Sequence, residues 1–431
     1  MIIHVVQPGD TIQSIANQYE TSVSILIGDN LLSEPQNLVI GQCIVIAQPE
    51  LIYIVQEDDT LSNIANSHNV TIMQLLQNNP FLSDRAYIYP GDRIVISYNK
   101  VGRIATHGNA LPYINNETYR KTLPYLTYLS IVNYTATDTG EIISYYDDIE
   151  LIQIAKDYHV LPFLFLTTLT IKGEANIRTA YELLLSEDIQ DRLMENILLI
   201  LREKGFAGLN LSIEYVSEAN LPYIEKVSAR IAERLGEEGF LAFVTINPNI
   251  TLVDDELVFQ RVDYTTLGNM ADSIIFMNYE WAMNLNPPSP VSSIFQIDNY
   301  LQYLRGTIPS DKLSIGLATI GYDWELPFIA GLSSVRILTY DSAVALARNE
   351  GVVIQFDNRS KTPYYFYTSR VTPYPVEHLV WFVDARSIDA LLDLVVEYDL
   401  QGTGIWNITV YNAQLWLIIN SQFEIAKFEV D

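Results

Sequence analysis

Two stretches in the first hundred residues share one pattern of apolar and polar positions. Residues 4–16, HVVQPGDTIQSIA, return at 53–65 as YIVQEDDTLSNIA, displaced by 49 residues. Each copy begins with a short β-branched run that predicts a strand. A threonine, Thr11 or Thr60, then precedes apolar residues at the i, i+3, i+4 spacing, which predicts the capped start of a helix.

The second half of each copy is equally regular. A second short helix is predicted before Asn30 and before Asn78, and apolar runs at 39–46 and 89–96 predict a closing strand. The order strand, helix, helix, strand therefore occurs twice, which indicates two small α+β domains.

Beyond residue 99 the chain alternates between apolar strand-like runs and amphipathic helical stretches, a pattern typical of α/β folds with a parallel sheet. Eight strands are predicted, at 101–106, 127–134, 160–166, 207–214, 240–247, 273–279, 313–319 and 402–406. Helices are predicted at 190–204 and 221–235, with Gly205 and Gly236 as C-terminal stops.

Eight such units predict an α/β fold of the (β/α)8 TIM-barrel type for residues 101–431. The segment at about 321–384 interrupts the alternation with turn-rich, tyrosine-rich, strand-like pieces. We therefore expect a small α+β insertion there, forming one wall of a groove.

Composition narrows the class of protein. Apolar residues make up 49% and charged residues 18% of the 431-residue chain, so it can bury a core and fold. A net charge of −27 repels phosphate, which argues against nucleic-acid partners and against anionic membrane surfaces. No apolar run is long enough to insert into a membrane, and the first residues lack the basic start of a secretory signal.

Candidate metal and redox chemistry is sparse. The single cysteine, Cys43, excludes an internal disulfide and is expected to be a buried small hydrophobe. The five histidines have no metal-ligand spacing, so we expect no metal and no cofactor. A serine hydrolase is disfavoured because no G-x-S-x-G motif is present.

One predicted barrel strand carries inward polar residues. In the run GLNLSIEY at 208–215, strand alternation places Asn210, Ser212 and Glu214 on one face. Catalytic residues of such barrels lie at the C-terminal ends of strands, so a carboxylate is expected at the barrel mouth. Polar side chains in a barrel interior must be hydrogen-bonded, which leaves a buried structural glutamate as the alternative to a catalytic one.

The two N-terminal copies, taken as domains at 1–48 and 51–98, resemble LysM domains, which bind N-acetylglucosamine polymers such as peptidoglycan and chitin. The resemblance rests on the opening V-x-x-G-D-T-[IL]-x-x-I-A, the central asparagine and the ending G-[QD]-x-[IL]-x-I. The second copy has Glu57-Asp58 where Pro-Gly is usual. A role as spacers only is the alternative to glycan binding.

Residues 101–423 resemble the catalytic domain of glycoside hydrolase family 18, in the branch of spore-cortex-lytic N-acetylglucosaminidases with LysM repeats. Besides the strand at 208–215, the resemblance is carried by FMNYEW at 276–281, GYDW at 321–324 and VWFVDARS at 380–387, together with GTGIW at 402–406.

The resemblance implies retaining hydrolysis assisted by the acetamido group of the substrate. Glu214 would be the general acid and Tyr279 would donate to the acetamido oxygen. Ser212 stands where the family has an aspartate, so it could orient this group but supplies no negative charge. The remaining residues are expected to bind substrate: Asn210, Glu280, Asp323, Trp381 and Trp406.

We therefore expect a monomeric enzyme that binds and cleaves N-acetylglucosamine linkages in peptidoglycan of the bacterial spore cortex. The family implies synthesis in the cytoplasm without a signal peptide and packaging into the spore. Two alternatives stay open. Ser212 leaves a spore glycan-binding protein with little or no activity as the first, and the second is a chitinase acting on fungal polymer.

Overall fold

A computed structural model describes residues 1–84, 87–169, 176–216, 218–253, 256–277, 287–370 and 374–428. Within these ranges the side chains at 84, 214–216, 251–253 and 256–257 are not described. Three kinds of unit follow one another: two small N-terminal domains, a barrel and a sheet inserted into the barrel.

The two N-terminal domains have the predicted order of elements. The first contains β1 (Ile2–Val5), α1 (Ile12–Gln18), α2 (Val23–Asn30) and β2 (Cys43–Ile46). The second contains β3 (Leu51–Ile54), α3 (Leu61–Ser67), α4 (Ile72–Asn78), a 3-10 turn (Pro80–Asp84) and β4 (Arg93–Ser97). In each domain the two strands pair antiparallel. Thr11 and Thr60 cap the first helices, accepting from the backbone N–H groups of Ser14 and Asn63 as predicted.

An asparagine at the end of each second helix fastens that helix to the closing strand. Asn30 donates to the carbonyls of Leu26 and Val45 and accepts from the N–H of Val45. Its counterpart in the second domain is Asn79, which makes the same three bonds. The two helices lie where the sequence predicts them, before Asn30 and Asn78. The 49-residue displacement leads from position 30 to position 79, so Asn79 and not Asn78 is the counterpart of Asn30.

The remaining elements alternate along the chain. The strands are β5 (Gly102–Ala110), β6 (Tyr128–Ala136), β7 (Ile142–Ser144), β8 (Leu161–Thr167), β9 (Gly208–Val216), β10 (Leu241–Pro248), β11 (Ile250–Val253), β12 (Glu256–Phe259), β13 (Ser273–Phe276), β14 (Leu313–Ala318), β15 (Ile320–Leu326), β16 (Val335–Thr339), β17 (Gln355–Asp357), β18 (Thr362–Ser369), β19 (Val376–Trp381), β20 (Gly402–Trp406) and β21 (Phe423–Ile425). The α-helices are α5 (Asn116–Thr122), α6 (Ile149–Asp157), α7 (Ile177–Leu185), α8 (Glu187–Lys204), α9 (Leu221–Glu237), α10 (Thr265–Met270), α11 (Ile294–Leu304), α12 (Tyr340–Glu350), α13 (Ala385–Glu397) and α14 (Ala413–Gln422). Two further 3-10 turns cover Leu123–Tyr125 and Ser310–Lys312.

Eight parallel strands close into a barrel. Their order is β5, β6, β8, β9, β10, β13, β14, β20, and β20 pairs with β5 to complete the ring. Strand β7 adds to β6, and β21 pairs with the beginning of β5. The predicted (β/α)8 TIM barrel is therefore confirmed.

The helices surround the barrel with their apolar faces turned inward. Gly205 ends α8 in the left-handed conformation, as predicted. Gly236 does not end α9, which continues to Glu237, and Gly239 takes the positive φ angle beyond it. None of the helices in the described ranges is both long and apolar enough to cross a bilayer.

A separate antiparallel sheet lies between β14 and β20 in the chain, where the sequence predicts the insertion. Its strand order is β16, β15, β19, β18, β17, and α12 packs against it. A small apolar core with Tyr365, Val380 and Phe382 holds the helix to the sheet. This unit rises beside the C-terminal ends of the barrel strands.

The first LysM-like domain is held to the barrel and to the insertion. Gln414 at the start of α14 donates to Asn30 Oδ1 and to the carbonyl of Cys43. The thiol of Cys43 is buried, as expected, and donates to the Asp384 carboxylate, which is also paired with Arg386. Burial beside this carboxylate raises the pKa of the Cys43 thiol well above its usual value.

The second LysM-like domain packs on the barrel through buried amides. The side-chain amide of Gln77 donates to the carbonyl of Pro124 over 2.8 Å, and the backbone carbonyl of Gln77 accepts from the Tyr125 hydroxyl. Asn420 of α14 donates to Asn78 Oδ1 and to the carbonyl of Gln77. Helix α14 therefore contacts both small domains.

Candidate active site

Strand β9 places two of the predicted site residues inside the barrel. Asn210 is fully buried and Ser212 is 6% exposed. In register, Asn210 lies beside Phe165 of β8 and Phe243 of β10, and Ser212 lies beside Thr245 of β10. The alternation predicted from GLNLSIEY is thus observed as far as Ser212.

A buried hydrogen-bond network joins Asn210 to side chains of neighbouring barrel strands. Ser130 Oγ lies 2.7 Å from Nε2 of His107 and accepts from Nδ2 of Asn210 over 2.9 Å. Thr245 donates to Oδ1 of Asn210, also over 2.9 Å. We call these four residues, His107, Ser130, Asn210 and Thr245, the interior polar network. It satisfies the side chain of Asn210 from both sides.

The interior polar network carries no charge. The ring of His107 is buried among Tyr128, Phe163 and Phe243, with ring centroids 5.6 to 5.9 Å away. This desolvation lowers the pKa of His107 to about 3, so the imidazole is neutral at physiological pH. The strand that bears the predicted acid is therefore supported by neutral dipoles.

Three of the predicted catalytic and binding side chains lie outside the described part of the chain. The backbone of residue 214 continues β9, but the side chain of Glu214 lies outside the description. Tyr279 and Glu280 lie outside the described residues altogether. Their roles stay predictions.

Trp406 ends β20 at the C-terminal mouth of the barrel. Its ring is partly buried, 6.4 Å from the ring of Phe165, and its peptide bond to Asn407 is cis. Thr319 donates from both its backbone N–H and its hydroxyl to the Trp406 carbonyl. Asn109, buried on β5, donates to the carbonyl of Ile405 over 3.1 Å. These bonds fix the strand end that carries the tryptophan.

Asp323 and Trp381 lie on neighbouring strands of the insertion rather than on the barrel. The Asp323 carboxylate is bonded to Arg336 and to Tyr367, each over 2.8 Å, and to His378 over 2.9 Å. Its side chain is only 2% exposed, and its role in substrate binding stays a prediction. Trp381 is partly buried with its ring 4.6 Å from that of Tyr364.

His107, Ser130, Thr245 and Asn109 were missed by sequence reasoning. Each is a polar residue on a barrel strand, and His107 and Asn109 are two residues apart on β5, so they face the same side. That alternation was the available signal. Across the described residues, no group of three histidine, cysteine, aspartate or glutamate side chains could hold a metal ion.

Comparison with known families identifies the barrel. The model described as glycosyl hydrolases family 18 matches residues 110–410, more than half of the chain. The chain belongs to glycosyl hydrolase family 18. The LysM domain model matches residues 4–47 and 53–97. This family 18 chain is a glycosidase with two N-terminal LysM domains.

Similarity to individual proteins extends over the whole chain. The cortical fragment-lytic enzyme of Bacillus subtilis (strain 168) is 30% identical over an alignment of 434 residues that covers 99% of each chain. Among solved structures, the spore cortex-lytic enzyme SleL of Bacillus megaterium QM B1551 has a TM-score of 0.79 and 29% identity, with 99% of both chains covered. SleL of Bacillus cereus has a TM-score of 0.78, 26% identity and 99% coverage of both chains.

Proposed function

We propose that this family 18 glycosidase hydrolyses N-acetylglucosamine linkages in the peptidoglycan of the bacterial spore cortex. The observation that carries this proposal is similarity along the entire chain, LysM domains included, to proteins named for lysis of cortex or of cortical fragments. A location in the spore follows from the same similarity. We infer further that the protein acts as a monomer, which sedimentation of the purified protein would test.

The LysM domains suit a polymeric substrate. Each binds weakly on its own, and two of them beside one catalytic barrel raise the concentration of the enzyme on an insoluble glycan. Their attachment to the barrel through buried side chains keeps the binding surfaces and the barrel mouth in one arrangement.

The reaction we assign is a retaining hydrolysis in two steps. The Glu214 carboxylic acid protonates the departing glycosidic oxygen while the acetamido oxygen of the substrate attacks the anomeric carbon, so the bond to the leaving sugar breaks as a cyclic oxazolinium forms. Glu214, now a carboxylate, removes a proton from water, and this water reopens the ring with net retention. Tyr279 would donate to the acetamido group and Trp406 would form the floor of the sugar site.

The residue that departs from the family pattern is Ser212, which lies next to the neutral interior polar network. A hydroxyl can orient an acetamido group, but it does not stabilise the positive charge that develops on the oxazolinium. The neutral amide of Asn210, bonded to Ser130 and Thr245, adds no charge either. We therefore expect slow turnover.

This same observation supports a second candidate function, a spore glycan-binding protein without turnover. Both candidates keep the glycan in the same groove, so binding alone does not separate them. Hydrolysis is the distinguishing property.

The experiment is the release of reducing ends from purified cortex fragments by the native chain and by Glu214→Gln, with chitin oligomers as a parallel substrate. Release by the native chain and loss of at least 10²-fold in the variant supports the enzyme. Equal background release by both proteins leaves the binding function. Faster cleavage of chitin oligomers than of cortex fragments would favour a chitinase.

A further inference from the structure

An apolar cavity of about 390 Å³ lies between the wall of the barrel and the helices that cover it. Its inner wall includes Leu211 and Ile213, which alternate along β9 with the inward-facing residues of that strand and so point toward the helices. Its outer wall includes Leu183 of α7, Leu193 of α8 and Ile224 of α9. The cavity therefore lies behind β9, in the helix layer rather than in the barrel interior.

The lining of this cavity is mainly aliphatic and carries no charge. None of the described residues that line it is an acid, a base or a histidine, although the chain as a whole has a net charge of −27. The polar groups of the lining are neutral amides and hydroxyls, such as those of Thr167, Asn176 and Asn220. Moving an ionised group from water into such surroundings is strongly unfavourable. An occupant of the cavity is therefore uncharged and mainly apolar.

The size of the cavity is unusual for a protein interior. Interiors are close-packed, and voids larger than one water molecule are few. Water is a poor occupant of apolar space because it needs polar partners, and an engineered apolar cavity of about 150 Å³ stays dry and binds benzene. The cavity behind β9 has about two and a half times that volume. At the same packing it has room for a chain of roughly ten to fifteen carbon atoms.

The cavity is open to solvent beside α7. Ile177 and Tyr181 line the cavity and are also 67% and 62% exposed, so they lie at its rim. Leu185, which is 62% exposed, follows them at the i+8 position and therefore lies on the same face of the helix. Exposed apolar residues that occur singly are normal, whereas a contiguous group marks a binding surface. These three residues form an apolar stripe beside the entrance, along which an apolar chain could reach the cavity.

We propose that this cavity binds one alkyl chain of an uncharged amphiphile, such as a long-chain alcohol or a monoacylglycerol. The chain would fill the space between β9 and α7, and its hydroxyl head would stay in solvent at the rim beside Tyr181. A carboxylate head is disfavoured by the uncharged lining and by the negative charge of the protein. A free amphiphile or a neutral lipid bilayer could supply the same chain. The site is independent of the proposed function, because it assumes no glycan ligand.

The test is titration of the full-length protein with N-phenyl-1-naphthylamine, an uncharged compound whose fluorescence rises in apolar surroundings. Linear alcohols from hexanol to dodecanol then displace this compound. Each added methylene should tighten binding of the alcohol about fourfold while the cavity still has room, as expected for burial of one CH₂ group. Decanoate, which is ionised at pH 8, should bind at least tenfold more weakly than decanol, and equal affinity of the two would contradict the assignment of an uncharged ligand.

Two substitutions fill the cavity from opposite walls. Ser228→Leu fills it from α9, and the buried Ser228 hydroxyl has no hydrogen-bond partner among the described residues, so the change breaks no such bond there. Ala180→Phe fills the cavity from α7. Each should weaken binding of decanol at least tenfold, because the added side chain takes the space of several methylene groups. The matched control is Glu233→Leu, which adds the same leucine to α9 at an exposed position outside the lining and should leave the affinity unchanged.

Sedimentation with phosphatidylcholine vesicles distinguishes the two sources of the chain. Binding of free decanol without cosedimentation assigns a soluble amphiphile, and cosedimentation that Ser228→Leu abolishes assigns a bilayer. The site is refuted if both cavity variants bind decanol as tightly as Glu233→Leu does, or if the affinity of the native protein for alcohols does not change with their length. The alcohol series uses the native protein alone, so it decides the matter even where near-ultraviolet circular dichroism shows that a variant has not folded.

Discussion

Replacing His107 by glutamine removes the ionisable member of the interior polar network. Glutamine can still bond to Ser130 but is neutral at every pH. Burial lowers the pKa of His107 to about 3, whereas an exposed histidine in the unfolded chain titrates near 6.5. Between these values the unfolded chain binds a proton that the folded barrel does not, so the native protein loses stability as the pH falls through this window.

The size of the effect follows from this difference. Each pH unit below about 6.5 should lower the free energy of unfolding of the native chain by about 1.4 kcal/mol relative to the glutamine variant. From pH 7.5 to pH 4.5 this amounts to roughly 2.7 kcal/mol. Above pH 7 the imidazole is neutral in both states, so the variant should be equal to or slightly less stable than the native chain.

The assay is urea unfolding followed by circular dichroism from pH 4.5 to pH 8, with the free energy compared pair by pair. All carboxylates titrate alike in both proteins, so their contributions cancel in the difference. His159→Asn is the control, because His159 is exposed and asparagine tolerates its positive φ angle. If the free energy of unfolding varied with pH in the same way for the native chain and for His107→Gln, the reasoning would be refuted.

Three further changes test other parts of the structure. Ser212→Asp should raise the rate of cortex-fragment cleavage on the order of 10²-fold by supplying the missing charge, and no gain over Ser212→Asn would contradict this. Asn79→Ala removes three buried hydrogen bonds and should lower the free energy of unfolding by about 3 kcal/mol in urea titrations; a loss below about 1 kcal/mol would count against it. In Gly41→Ala the new Cβ would lie 2.0 Å from the carbonyl oxygen of Ile354, so hydrogen exchange at the Ile354 amide should accelerate at least tenfold. Gly9 has a similar positive φ angle, 93° against 87° at Gly41, with no neighbour within 4 Å, so Gly9→Ala should leave that amide protected.

Periodicity was sufficient for most of the fold. Apolar runs located the eight barrel strands, and the 49-residue repeat located the two small domains. Both patterns depend only on the local order of residues and not on tertiary contacts. The helix stop at Gly236 was wrong because a glycine inside a helix is tolerated when the packing of its neighbours, such as Leu235, holds the turn.

The site was only partly accessible to sequence reasoning. Asn210 and Ser212 could be assigned to the interior from alternation alone. Their partners could not, because Ser130 and Thr245 reach Asn210 from two other strands. The partners of Asp323 likewise come from separate strands of the insertion, so its burial depends on tertiary contacts that a local pattern does not contain.

Only residues 47–50 separate β2 from β3, and only 98–101 separate β4 from β5, while α14 is fastened to both small domains. Neither connection is a flexible linker long enough for one domain to move independently while another stays bound to the glycan. The two LysM domains and the barrel must therefore bind the glycan as one rigid unit. The distances between their binding surfaces are fixed. A glycan strand whose curvature or cross-links do not match these distances would bind one domain instead of several. The shape of the polymer would therefore determine where cleavage occurs.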